Sequence, residues 1–184
     1  IAVLGVTKTV IRGNRIARIS GVHGNGITLY LNNRGALVEA NSVTESTRPM
    51  TFHGDKSTSG PGDHDFTITR NVFIADSEGT AAITSWGSNT RGVTITSNIL
   101  IAPKAGIRLT PSDTGITIAD NVDTGLLVTG ARPADWKVSS GPELSRNGVA
   151  TLAATPADAL LPAPVCAQLR VKPGTIIGAD WRCP

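Results

Sequence analysis

The sequence predicts an all-β chain wound as a parallel β-helix of about five coils, ending in an irregular, Pro-rich C-terminal cap. Three observations carry this. The 184 residues include 22 Thr, 16 Ile and 14 Val, and β-branched side chains suit the pleated surface of strands. Twenty Gly and eleven Pro supply frequent turns between them. Finally, one apolar–Asn pattern recurs five times at nearly constant spacing, the signature of a stacked repeat.

The repeat is two alternating apolar residues, then Asn, then another apolar residue. It runs through Thr9–Ile16, Ala36–Val43, Phe66–Phe73, Val93–Leu100 and Ile116–Asp123, with Asn14, Asn41, Asn71, Asn98 and Asn121 at the fixed place. The steps between these Asn residues are 27, 30, 27 and 23. A second alternating strand precedes each later copy: Ile27–Tyr30, Met50–His53, Ile83–Trp86 and Ile107–Thr110. Two or three short strands per period, with no helical period between them, describe one coil. Asn suits the corner because it tolerates a left-handed backbone. Stacked Asn amides also hydrogen-bond from coil to coil. A β-sandwich, the rival all-β fold, does not predict a fixed Asn five times over.

The coils occupy residues 1–130. Residues 131–184 lose the repeat, and Ala150–Pro164 reads as a linker or a lid across the last coil. Ile1–Leu4 reads as the tail of a strand, so we expect further N-terminal coils, or another chain supplying them, to cover the open edge. No apolar run approaches the roughly 20 residues of a membrane-spanning helix, and the first residues lack the pattern of a signal peptide. Residues 1–60 hold seven Lys/Arg against three Asp/Glu, and the rest ten against eleven, so the basic excess sits in the first third. It is too sparse for a nucleic-acid surface. An anionic polysaccharide is the better match.

The coils resemble the right-handed parallel β-helix superfamily of pectate-lyase-like proteins, over about residues 1–130. Leu169–Trp181 is similar to the closing motif of many secreted members, with Thr175-Ile176 where Ser-Pro is usual. The resemblance implies right-handed winding. It also implies a place among polysaccharide lyases, hydrolases, epimerases, phage tailspikes and coils without catalysis, and fold alone does not choose among these. Cys166 and Cys183 bracket the closing motif. A disulfide between them would stabilise it by about 3 kcal/mol and points to an exported protein, secreted or at the cell surface or periplasm.

Strand alternation turns Ile27, Leu29, Met50, Phe52, Ile83, Ser85, Ile107 and Leu109 inward. Two outward columns follow, Thr28–Thr51–Thr84–Arg108 and Tyr30–His53–Trp86–Thr110. Rings repeating at the strand spacing of about 4.8 Å form a platform for sugar faces, with Tyr30, Trp86 and Arg108 as substrate-binding residues. Arg12 and Glu39 take equivalent positions on neighbouring coils and are expected to pair.

The long polar insertion after His53 carries Asp55, Lys56, Asp63, His64 and Asp65. Long loops on a rigid scaffold are where function concentrates. Uronate β-elimination needs a base for the C5 proton and a cation for the adjacent carboxylate. The candidate catalytic residues are His53, His64 and Lys56 as base and Arg48 as neutraliser, with Arg108 one sugar away. Asp55, Asp63 and Asp65 would hold Ca²⁺ through carboxylate oxygens, although the Gly-Gly-x-Gly-x-Asp calcium repeat is absent, and no cofactor other than Ca²⁺ is suggested. A hydrolase needs two carboxylates across the bond, and the outward columns hold none. The expected function is therefore binding of an acidic polysaccharide, with lyase or epimerase chemistry as its enzymatic form. The alternative is a non-catalytic, tailspike-like structural or receptor-binding coil.

Overall fold

The computed structural model describes residues 1–54, 63–87, 90–139 and 159–184. The chain winds through three parallel sheets in turn. The first stacks Ala2–Leu4, Asn25–Tyr30, Arg48–His53, Ala81–Ser85, Ala105–Leu109 and Leu126–Val128. The second stacks Val10–Arg12, Leu37–Glu39, Thr67–Thr69, Thr94–Thr96, Thr117–Ala119 and Lys137–Val138. The third stacks Arg15–Ile19, Ser42–Ser46, Val72–Ala75, Ile99–Ile101 and Val122–Asp123. That makes five complete rungs and a partial sixth, so coil pairing continues past residue 130 to Val138.

Register follows the sequence alignment. Ile27, Met50, Ile83, Ile107 and Leu126 lie in line, as do Leu29, Phe52 and Ser85. Ile11, Val38, Ile68, Ile95 and Ile118 face them from the second sheet, and Val43, Phe73 and Leu100 from the third. All except Ser85 belong to one continuous apolar core, in which Leu126 is only partly buried. Trp136 plugs its far end, with its indole N–H donating to the Asp113 carbonyl at 2.7 Å.

The five Asn residues form one column. The side-chain amide of Asn14 donates to Oδ1 of Asn41 at 2.9 Å, and the same bond links Asn41 to Asn71, Asn71 to Asn98 and Asn98 to Asn121 at 2.9, 2.9 and 3.0 Å. The left-handed corner residue is not the Asn, however, but its predecessor. Gly13, Ala40, Arg70, Ser97 and Asp120 have φ of 67°, 51°, 55°, 57° and 57°. A non-glycine residue there costs about 1–2 kcal/mol, which the buried amide ladder offsets. Arg12 pairs with Glu39 as expected, and Arg70 from the third coil joins them. Burial raises the Glu39 pKa, but Arg70 and Arg12 outweigh it and hold the carboxyl below its ordinary value.

Of the expected linker or lid Ala150–Pro164, residues 150–158 lie outside the described residues. Residues 159–184 run back along the outer face of the third sheet. The helix Ala163–Leu169 starts at the fifth coil, where Gln168 donates to the Asn121 carbonyl at 2.7 Å. The Gly178 N–H then reaches the Arg70 carbonyl at 2.6 Å, Ala179 reaches Ser42 Oγ at 2.8 Å, and Asp180 pairs with Arg15 on the first coil. Leu161, Leu169, Ile177 and Trp181 cover Val72, Ile99, Ile101 and Val122 in a second apolar cluster. Gly178 lies so close that a Cβ would fall 2.5 Å from Ser42 Oγ and 2.7 Å from Val72 Cγ2. The predicted disulfide is present, Cys166 to Cys183 with Cα atoms 5.6 Å apart, and ties the helix to the terminal hairpin Ile176–Ile177/Trp181–Arg182.

Candidate functional site on the first sheet

Tyr30 and His53 are register partners in the first sheet, and the backbone N–H of Trp86 follows onto the Phe52 carbonyl at 2.9 Å. All three side chains leave the coil on one face and are half-buried. They are positioned by their neighbours: Leu29, Phe52 and Ser85, each almost wholly buried, occupy the inward slots one residue earlier.

The rings do not make a flat deck. The Tyr30 and His53 centroids are 4.0 Å apart at 47°, and those of His53 and Trp86 6.1 Å apart at 64°. The Arg48 guanidinium lies 4.3 Å over the Trp86 ring and donates to the Val22 carbonyl, so one indole face carries a cation. The second outward column is also less open than alternation implies. Thr28, Thr51 and Thr84 are buried, Thr28 Oγ1 lies 3.0 Å from Thr51 Oγ1, and only Arg108 is half-exposed.

Two hollows flank the ring column. One, of about 390 Å³, is bounded by Leu4, Tyr30, His53, His23, Asn25 and Thr28. The other, of about 60 Å³, brings Arg48 and Arg108 together beside Trp86 and Glu78. Arg108 lies two strands along the sheet from Arg48, and both line this hollow. Glu78, invisible to an alignment of strands because it sits on the turn before Ala81–Ser85, adds a carboxylate there. Burial pushes the His53 pKa below its ordinary value, which favours the neutral imidazole.

The insertion divides differently from the sequence expectation. Asp55 and Lys56 lie outside the described residues. Asp63 turns into the coil, fully buried, where its Oδ1 accepts the Asn33 N–H at 2.8 Å and the Asn33 amide at 2.9 Å. Burial raises its pKa against the pull of these donors. Asp65 points outward, with Oδ2 2.9 Å from His64 Nδ1. Asp63 and Asp65 therefore face opposite sides of the backbone, and among the described residues no three His, Cys, Asp or Glu gather as a metal site. His64 lies on the corner leading into the second sheet, bridged between Arg34 and Arg91, and does not join His53.

Sequence reasoning missed this second corner. Asn33, Asp63, Thr90 and Asp113 all point inward and are fully buried. Their partners one residue later, Arg34, His64, Arg91 and Thr114, form consecutive bridges on the outside. The residue type changes at every inward position, so no fixed letter marks the column. Outside the insertion after His53, the spacing of three or four residues from the ring column (Tyr30 to Asn33, Trp86 to Thr90, Thr110 to Asp113) was the available signal.

Among the described residues no helix is long and apolar enough to cross a membrane. Comparison with curated proteins and with solved structures found no match. Residues 1–123, two thirds of the chain, match the family model described as the right-handed β-helix region, and with three parallel sheets and a continuous Asn ladder on the same residues, the chain belongs to the right-handed β-helix family.

Proposed function

We propose that the outer face of the first sheet binds an acidic polysaccharide laid along the helix axis, in a protein that works outside the cell. The observation that carries this is the column Tyr30–His53–Trp86 with Arg48 and Arg108 beside Trp86: rings next to cations, on paired parallel strands. The disulfide supports an oxidising compartment. In the catalytic form of this reading, His53 takes the C5 proton of a uronate as Arg48 neutralises its carboxylate. The C5–H electrons form the C4–C5 double bond, the C4–O bond breaks, and the leaving oxygen takes a proton from water. A neutral imidazole is a competent base, and burial of His53 favours that form.

One observation favours the non-catalytic reading, a rigid structural or receptor-binding coil: Arg48 already occupies a face of Trp86. The experiment separating them incubates the protein with alginate, pectate and glycosaminoglycans while following ultraviolet absorbance of the new double bond, with calorimetric binding in parallel. Binding lost in Trp86→Ala supports the site, and an absorbance rise abolished by His53→Ala supports the lyase. Binding without any absorbance change favours the structural reading, and no binding to any uronate removes the proposal.

A further inference from the structure

The coil interior holds a polar cluster that the outer face does not use. The inward column Val3, Leu29, Phe52, Ser85, Leu109 and Val128 is apolar except at Ser85. On the same coil Thr90 turns inward at the corner, and on the next coil so does Asp113. Both are fully buried, and Ser85 is 1% exposed. Arg91 and Thr114, the residues that follow Thr90 and Asp113, are bridged to each other. The two inward side chains therefore stand one coil apart, at about 4.8 Å. Trp136 closes the far end, its indole N–H on the Asp113 carbonyl.

These side chains do not satisfy one another. Asp113 Oδ2 accepts the Thr110 N–H and the Thr110 hydroxyl, each at 3.0 Å. Its Oδ1, the Ser85 Oγ and the Thr90 Oγ1 are buried and have no hydrogen-bond partner. Burial raises the Asp113 pKa, and the Ser85, Thr110 and Thr90 groups draw it down. Both hydroxyls thus lie near the carboxyl without closing a bond to it. None of the ion pairs among the described residues reaches Asp113. Buried polar groups are nearly always paired, and buried charges are matched by an opposite charge. Three unpartnered oxygens beside one buried carboxylate have the chemistry of a cation site.

We propose that Asp113 Oδ1, Ser85 Oγ and Thr90 Oγ1 bind an alkali cation, sodium or potassium, inside the coil. The donors are all oxygen, which selects a hard cation over a soft or borderline metal. Only one carboxylate takes part. Asp63, whose Oδ2 is likewise unpartnered, lies two coils from Asp113, about 10 Å away. Hard-cation–oxygen distances of about 2–3 Å do not let one ion take both. A single positive charge balances the Asp113 carboxylate, whereas a divalent ion would leave net charge in the interior. The ion ties the fourth coil, through Ser85 and Thr90, to the fifth, through Asp113, where the inward column lacks an apolar side chain. The site is independent of any ligand on the outer face.

The experiment measures melting temperature at equal ionic strength in sodium, potassium and tetramethylammonium chloride. Equilibrium dialysis against radioactive sodium and rubidium, the latter standing in for potassium, counts bound ions. The parent should melt about 2–4 °C higher in sodium or potassium chloride than in tetramethylammonium chloride, and should hold one ion per chain. Asp113→Asn keeps an oxygen for the Thr110 donors and sets an amide beside Ser85 and Thr90. It should fold, melt alike in all three salts and bind no ion. Ser85→Ala removes one ligand and no charge, and should weaken ion binding severalfold. Asp65→Asn, which alters an exposed carboxylate on the outside, should behave as the parent. Equal melting of the parent in the three salts, or no bound ion, overturns the proposal and assigns the cluster to a buried water or a protonated Asp113. Salt selectivity that persists in Asp113→Asn overturns it as well. Should Asp113→Asn fail to fold, Ser85→Ala decides, and unchanged ion affinity there overturns the site.

Discussion

Removing the side chain of Asn71 tests the ladder where it is most enclosed. Asn71 is fully buried. Its Oδ1 accepts both the Asn41 N–H at 3.0 Å and the Asn41 amide at 2.9 Å, and its own amide donates to the Val38 and Thr69 carbonyls and to Asn98. In Asn71→Ala the Asn41 backbone N–H is stranded inside the coil, at about 1–3 kcal/mol. The Asn41 amide keeps its bonds to the Ile11 and Glu39 carbonyls, so it loses less. With the bonds Asn71 itself donated, the total is about 3–4 kcal/mol. Asn14, at the half-buried end of the column, gives a contrast. Without its side chain, Asn41 Oδ1 still accepts the Asn14 N–H at 3.0 Å, and no buried donor is stranded. Asn14→Ala should therefore cost about 1 kcal/mol or less. Urea denaturation of both variants measures the difference. If Asn71→Ala came within about 1 kcal/mol of Asn14→Ala, stranded buried groups would not be what the ladder prevents, and the reasoning would fail.

Two further outcomes follow from the geometry. Replacing Cys166 and Cys183 with Ser should lower stability by about 3 kcal/mol, with limited proteolysis cutting the 159–184 segment before any coil; simultaneous loss of both would contradict a separately held flank. His53 has a folded pKa below its unfolded value because of burial, so its contribution is present above pH of about 6.5 and is lost as pH falls through the lower folded value. Stability measured from pH 7.5 to 4.5 should fall less steeply in His53→Gln than in the parent, and identical slopes would show that His53 does not take part.

The Asn14–Asn121 column was legible because a polar residue kept one place in a β-branched pattern while coil lengths varied around it. The same strand alternation correctly sent Ile27, Met50, Ile83 and Ile107 inward and Tyr30, His53 and Trp86 outward. It could not foresee that Arg48 folds over Trp86 or that Thr28 and Thr51 are covered, because alternation fixes direction and not what lies above. The Asn33–Asp63 bond was hidden by the insertion between them and by the change of residue type. The helix Ala163–Leu169 was missed because seven residues starting among prolines carry too little periodicity, and its apolar face is meaningful only against Val122 and Ile99.

The backward course of residues 159–184 alters how the molecule gains and loses structure. A stack of coils in which each touches only its neighbours behaves as a one-dimensional chain, able to fray from an end one rung at a time. Here one segment contacts the fifth, third, second and first coils in succession, through Gln168, Gly178, Ala179 and Asp180. Losing the first coil therefore also removes a partner of the segment that seals the fifth, and rungs far apart along the axis are energetically joined. The contacts span 165 residues between Arg15 and Asp180, so their closure entropy is met late. Folding should accordingly show slow, concerted acquisition of the flank after the coils have formed, and unfolding should begin with its detachment rather than at either end of the stack.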